Sequence, residues 1–99
     1  MCEFKIISKN DENQIAEEIL VLYYTEDNEL VLKDVLGMGG KLDSALILDV
    51  NTLTQKTVVL EHPLIKDFIG LMKHVIDKKT TKAEIELFQT QLDQLKESI

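Results

Sequence analysis

The sequence predicts an α+β fold: a small five-stranded antiparallel SH3-like barrel followed by a two-helix hairpin. Three observations predict it. The chain has 99 residues, enough for one compact unit. Residues 1–61 are rich in β-branched residues and broken at regular intervals by turn-forming clusters, which is the pattern of short strands in a small barrel. Residues 62–99 change to helical periodicity. The chain therefore divides into a barrel region, 1–61, and a helical hairpin, 62–99, packed on the barrel or on a dimer partner.

The first strand is expected over 2–8, ending at the polar turn Lys9-Asn10-Asp11-Glu12-Asn13. The second runs over 19–25, and Glu26-Asp27-Asn28 is a turn of hairpin length leading into a third strand over 29–35. Gly37-Met38-Gly39-Gly40 breaks the chain as a glycine-rich turn. A fourth strand follows over 44–50, Asn51-Thr52-Leu53-Thr54 turns it, and a fifth occupies 56–61. The run Ile19-Leu20-Val21-Leu22-Tyr23-Tyr24 is apolar at every position, where a solvated sheet face would show a polar residue at every second place. Its outer face is therefore expected to be covered, by the C-terminal segment or by a second subunit.

Pro63 marks a helix start, because proline fits the first turn without losing a needed hydrogen bond. Leu64, Ile65, Phe68, Ile69, Leu71, Met72, Val75 and Ile76 make a wide apolar stripe, as on a helix contacted from two sides. Asp77-Lys78-Lys79-Thr80 ends it, and Thr81 to Glu84 has the S/T-x-x-E form of a capping box. Ile85, Phe88, Leu92, Leu95 and Ile99 follow at intervals of 3, 4, 3 and 4, a narrow seam suited to one neighbouring helix. The expected arrangement places the first helix between barrel and second helix. The alternative is a short coiled coil between subunits.

Net charge is −7, and all the excess lies in residues 1–61, which hold five lysines against twelve acids. Residues 62–99 balance six lysines with six acids. A surface of that sign repels phosphate backbones, and the chain has no arginine for bidentate phosphate or guanine recognition. Nucleic-acid binding through a small barrel is thus disfavoured, whereas a cation or a basic protein partner fits the sign. No apolar run approaches the roughly 20 residues of a membrane span. The opening Met1-Cys2-Glu3-Phe4-Lys5 lacks the pattern of a secretory signal, so the expected compartment is the cytoplasm.

Conventional catalytic patterns are missing. Gly37-Met38-Gly39-Gly40-Lys41 resembles a phosphate loop only superficially, since Val35 and Leu42 stand where the Walker pattern needs Gly and Ser or Thr. Asp27-Asn28-Glu29 lacks the register of a calcium loop. His62 and His74 are twelve positions apart, outside metal-ligand spacing, and Glu17-Glu18 reads as a solvated strand entry. The chain is accordingly expected not to be an enzyme. Cys2 is the chemically distinctive residue. Removal of the initiator methionine, favoured by a small second residue, would join a free amine to a thiol. Amine, amide and thiolate donors favour square-planar Ni(II) or Cu(II).

Several segments in order carry a family resemblance. Met1-Cys2-Glu3-Phe4-Lys5-Ile6 resembles an opening M-C-x-x-K/R-V, with Ile6 at the place of Val, and Glu17-Glu18-Ile19-Leu20 is similar to a second strand. Leu30-Val31-Leu32-Lys33-Asp34-Val35-Leu36-Gly37 matches V-x-L-x-D-L-x-G with conservative swaps at Leu30 and Val35. Ala45-Leu46-Ile47-Leu48-Asp49-Val50 is loosely similar to a further strand, and Lys56-Thr57-Val58-Val59-Leu60-Glu61 to a V-V-L-E ending. In these, residues 1–61 resemble the CooT family of small nickel-binding proteins associated with maturation of carbon monoxide dehydrogenase. The resemblance implies an SH3-like barrel that pairs as a homodimer. It also implies Ni(II) held by Cys2 with backbone nitrogen donors, and service as an accessory protein to a client nickel enzyme. Residues 62–99 extend beyond the usual short member.

Overall fold

In the computed structural model, which describes residues 3–99, the chain is α+β, with seven strands in two sheets followed by two helices. The strands are β1 (Phe4–Ser8), β2 (Gln14–Ile19), β3 (Val21–Tyr24), β4 (Leu30–Lys33), β5 (Gly39–Leu42), β6 (Ala45–Asn51) and β7 (Lys56–Glu61). The helices are α1 (Pro63–Ile76) and α2 (Lys82–Glu97). One sheet has the order β2-β1-β7-β6 and the other β3-β4-β5. All neighbours are antiparallel except β1 and β7, which run parallel in the middle of the larger sheet.

The five-stranded barrel is therefore corrected to two sheets, neither closed on itself. Two strands are additional. β2 carries Glu17 and Glu18 and pairs with β1 through two register irregularities, the bulged and charged form that protects an edge strand. β5 forms from the glycine-rich segment because β4 offers it a ladder, with Lys33 opposite Gly39 and Leu30 opposite Leu42. The apolar run 19–24 is also not one strand. Glu18 adopts φ 57°, and only Leu20 separates β2 from β3, so the chain turns a corner there and passes from one sheet to the other. Leu20 N–H donates to the Lys33 carbonyl at 2.9 Å, tying the corner to β4.

The outer face of β3 lacks the expected cover: Val21 and Tyr23 are each 44% exposed. Lys33 Nζ lies 5.4 Å from the centre of the Tyr23 ring and shields it in part by a cation–π contact. The core lies between the two sheets, where Ile6, Ile19, Leu30, Leu32, Ala45 and Val59 are buried together. Each such side chain contributes about 1.5–3 kcal/mol, less for alanine.

Closure fails on one side at an open cleft of about 360 Å³, lined by Ile15 and Glu17 of β2 and by Gly40 and Lys41 of β5. Elsewhere a side chain joins the sheets. The Tyr24 hydroxyl donates to the Ala45 carbonyl at 2.7 Å and accepts from the Ile47 N–H at 3.3 Å, both on β6, the last strand of its sheet. Burial raises the Tyr24 phenol above its ordinary value of 10.0, against the lowering effect of the Ile47 N–H. A raised folded-state value gives stability that is full below pH 10 and is lost as pH climbs through the folded value. Tyr24→Phe is expected to cost about 1–3 kcal/mol at neutral pH, because two main-chain groups lose their partner. It is also expected to flatten the alkaline fall in urea midpoint.

Thr57 is fully buried on β7, and its hydroxyl has no hydrogen-bond partner among the described residues. A buried, unpaired hydroxyl costs free energy that a methyl group of similar size does not. Thr57→Val is expected to raise stability by about 1 kcal/mol, read as a higher urea midpoint at unchanged slope.

Both helices start from identifiable caps. His62 is the N-cap of α1, and its Nδ1 accepts from Leu64 N–H at 3.1 Å, with Pro63 in the first turn. The Ser44 hydroxyl accepts from Lys66 N–H at 2.8 Å and donates to the His62 carbonyl, so the β5–β6 corner satisfies the free end of the helix and anchors it. Lys66 also pairs with Asp43 at 3.1 Å. α1 ends in a Schellman turn: Lys78, at φ 60°, donates to Val75 and Lys79 donates to His74. Thr81 caps α2 by accepting from Glu84 N–H at 3.2 Å.

Candidate functional site

The most distinctive surface is an open groove of about 450 Å³ where β6, α1 and α2 meet. It follows from the unequal use of the apolar stripe on α1. That helix lies against β6 on one side and α2 on the other, yet only Leu71 is buried. Phe68, Met72, Val75 and Ile76 stay exposed. The groove is lined by Leu46 of β6, by Leu64, Phe68, Ile69 and Met72 of α1, and by Phe88 and Leu92 of α2. Among the described residues, Lys73 is its one charged lining residue. Such a site can hold apolar atoms by burial, and it offers little that could orient or activate a polar substrate.

The α1–α2 contact that forms one wall is narrow. Phe68 and Phe88 approach with ring centres 6.0 Å apart at 43°. Asp67 accepts from the Gln91 amide at 3.0 Å, and His74 Nδ1 meets Glu84 Oε2 at 2.6 Å. Glu84 thus reaches across to α1, and only half of the expected capping box forms: Thr81 caps Glu84, but the carboxylate holds His74. α2 turns the Glu84, Phe88 and Gln91 face to its partner and buries no residue completely. The seam read from the sequence is offset from this face, so Ile85, Leu92 and Leu95 remain exposed.

A second, polar pocket of about 240 Å³ lies between the helices and the β3–β4 turn. The His74–Glu84 pair and Asn28 line it. Asn28, at φ 66°, forms a tight turn by donating to the Thr25 carbonyl at 2.9 Å, as expected for Asp27-Asn28-Glu29. Among the described residues, no Ser, Thr or Tyr lines this pocket, so the His74–Glu84 pair has no hydroxyl there to activate.

The structure disperses the other residues singled out from the sequence. Cys2, the expected nickel ligand, lies outside the described residues. His62 and His74 sit at the start and near the end of α1, and each commits its Nδ1 to a fold contact. Among the described residues, no group of three or more His, Cys, Asp or Glu side chains is placed to hold a metal ion. The Asp34-x-x-Gly37 segment has a local structural role. The Asp34 carboxylate accepts from Leu36 N–H at 2.9 Å and Met38 N–H at 3.0 Å, while Gly37 supplies φ 76°. Gly39 to Lys41 belong to β5 and form no phosphate loop. Glu17 and Glu18 are exposed on β2.

No protein-family model matches the chain, and no curated protein matches it either. The resemblance of residues 1–61 rests on the quoted segments alone. Among the described residues, no helix is long and apolar enough to cross a membrane.

Proposed function

We propose that this chain is a non-catalytic protein-interaction module whose working surface is the apolar groove between β6, α1 and α2. The observation that carries this reading is the groove itself, almost wholly apolar and walled by side chains that the chain's own packing leaves exposed. Methionine oxidation tests it. Met72 lines the groove, and Met38 lies on the β4–β5 loop away from it. A partner seated in the groove leaves Met72 reduced in cells treated with peroxide while Met38 becomes the sulfoxide. Equal oxidation of the two in cells would sink the reading.

The second reading is a nickel-binding accessory protein. Ni(II) would be held by Cys2 at a homodimer interface, in the service of a client nickel enzyme. It is supported by the Met1-Cys2 opening and by the ordered CooT-like segments of residues 1–61. Cys2 would supply the thiolate, and bound nickel would be cargo or a structural ion. Intact mass after expression in the native host tests it. Loss of Met1 and one nickel adduct that Cys2→Ser removes are expected. Tight nickel binding that survives Cys2→Ser counts against it.

A further inference from the structure

The surface of the whole chain can be set against what a folded chain of this size exposes. The accessible surface is 7094 Å². A compact 11.3 kDa monomer exposes about 5,700 Å². The radius of gyration is 15.6 Å, where a compact chain of this length gives about 12.6 Å. The excess is roughly 1,350 Å² per chain. Two chains hiding that much would bury roughly 2,700 Å², within the range of obligate homodimers.

Exposed large apolar side chains occur on both the strands and the hairpin, and Leu46, Phe68, Met72, Ile76 and Leu92 gather at the groove. α2 is a 16-residue helix with no buried residue, and a helix of that length has little stability without tertiary packing. Its 3, 4, 3, 4 seam is only partly used by α1, leaving Ile85, Leu92 and Leu95 bare, with Leu92 beside Phe68, Met72 and Ile76 in the groove. Charge selects the same face. Residues 62–99 balance six lysines with six acids, whereas residues 1–61 carry the whole −7. Two copies meeting through their strands would oppose two acidic surfaces. Meeting through their hairpins opposes no net charge.

We infer that the occupant of the groove is a second copy of this chain. The two helical hairpins pack about a two-fold axis, and the α2 seam of each copy covers the apolar face of the other. This rests on the reading of the groove as an interaction surface and names its partner. A two-fold contact is self-complementary, so each substitution acts twice.

The test is the solution mass of the purified full chain across a dilution series, together with peroxide oxidation of Met72 and Met38. The expected result is twice 11.3 kDa, with Met72 protected and Met38 oxidised. Leu92→Glu is expected to give the single-chain mass and to expose Met72 while retaining the circular dichroism of the parent. Leu53→Glu, on the β6–β7 turn away from the groove, is expected to leave the dimer intact. A double mass with Met72 unprotected, or one that persists in Leu92→Glu, overturns the inference because copies then meet elsewhere. A single mass with Met72 oxidised in the purified chain but protected in cells also overturns it, while the interaction reading survives with a different partner. A single mass with Met72 oxidised in both settings removes both. If Leu92→Glu loses its helical signal, Ile85→Lys, a half-exposed position on the same seam, takes its place with the same required outcome.

Discussion

Gly39→Ala is expected to lose most of its folded population, whereas Gly40→Ala, one residue further on, keeps parental stability to within about 0.5 kcal/mol. A Cβ on Gly39 would stand 2.0 Å from the Leu32 carbonyl oxygen and 2.9 Å from its carbon, both main-chain atoms of the neighbouring strand. Main chain cannot rotate aside as a side chain would. Leu32 is itself buried in the core, so β4 cannot retreat without opening it. A Cβ on Gly40 meets nothing within 4 Å. The expected cost at Gly39 exceeds about 4 kcal/mol, a large part of the 5–15 kcal/mol that holds a domain of this size together. Urea titrations of the two variants check it. Equal midpoints would mean that β5 does not pair with β4 in the register described.

Leu30→Ala is the second large effect. Leu30 is fully buried, opposite Tyr24 on β3 and Leu42 on β5, where the smaller sheet faces the larger. Deleting its side-chain carbons forfeits their burial and leaves a cavity that the surrounding strands can only partly fill. The expected loss is about 3 kcal/mol. Leu36→Ala is the companion measurement, since Leu36 is 78% exposed and its truncation should stay within about 0.5 kcal/mol. A small shift at Leu30 would place the centre of the core elsewhere.

What the sequence revealed divides along physical lines. Both helices were legible because their signals are local. Pro63 and the Thr81 cap mark the starts, and the apolar periodicity runs between them. The strand over 56–61 was legible for a similar reason, as an uninterrupted β-rich run bounded by turns. β2 was not, because Gln14, Glu17 and Glu18 have no strand preference of their own and are recruited by the edge of β1. β5 was hidden by Gly39 and Gly40, whose value lies in the close approach they permit to β4. The corner at Glu18–Leu20 left no mark in composition, so Ile19, the last residue of β2, read as the start of the strand that is β3. The apolar stripe of α1 was visible in the sequence, but which parts of it the fold leaves bare is a tertiary property. The expected metal site turned on Cys2, and the described histidines carry fold contacts, so the groove was found only in three dimensions.

The parallel pairing of β1 with β7 has a consequence for how the molecule is made. Lys5 to Ser8 lie alongside Lys56 to Val59, so β1 must wait about 50 residues of synthesis for its central neighbour. Closing so long a loop is entropically expensive, and folds dominated by such contacts form slowly. During that interval β1 can pair only with β2, an isolated two-stranded unit with little stability of its own. The −7 charge of residues 1–61 is then an asset, since self-repelling nascent chains resist premature strand exchange with their neighbours on a polysome.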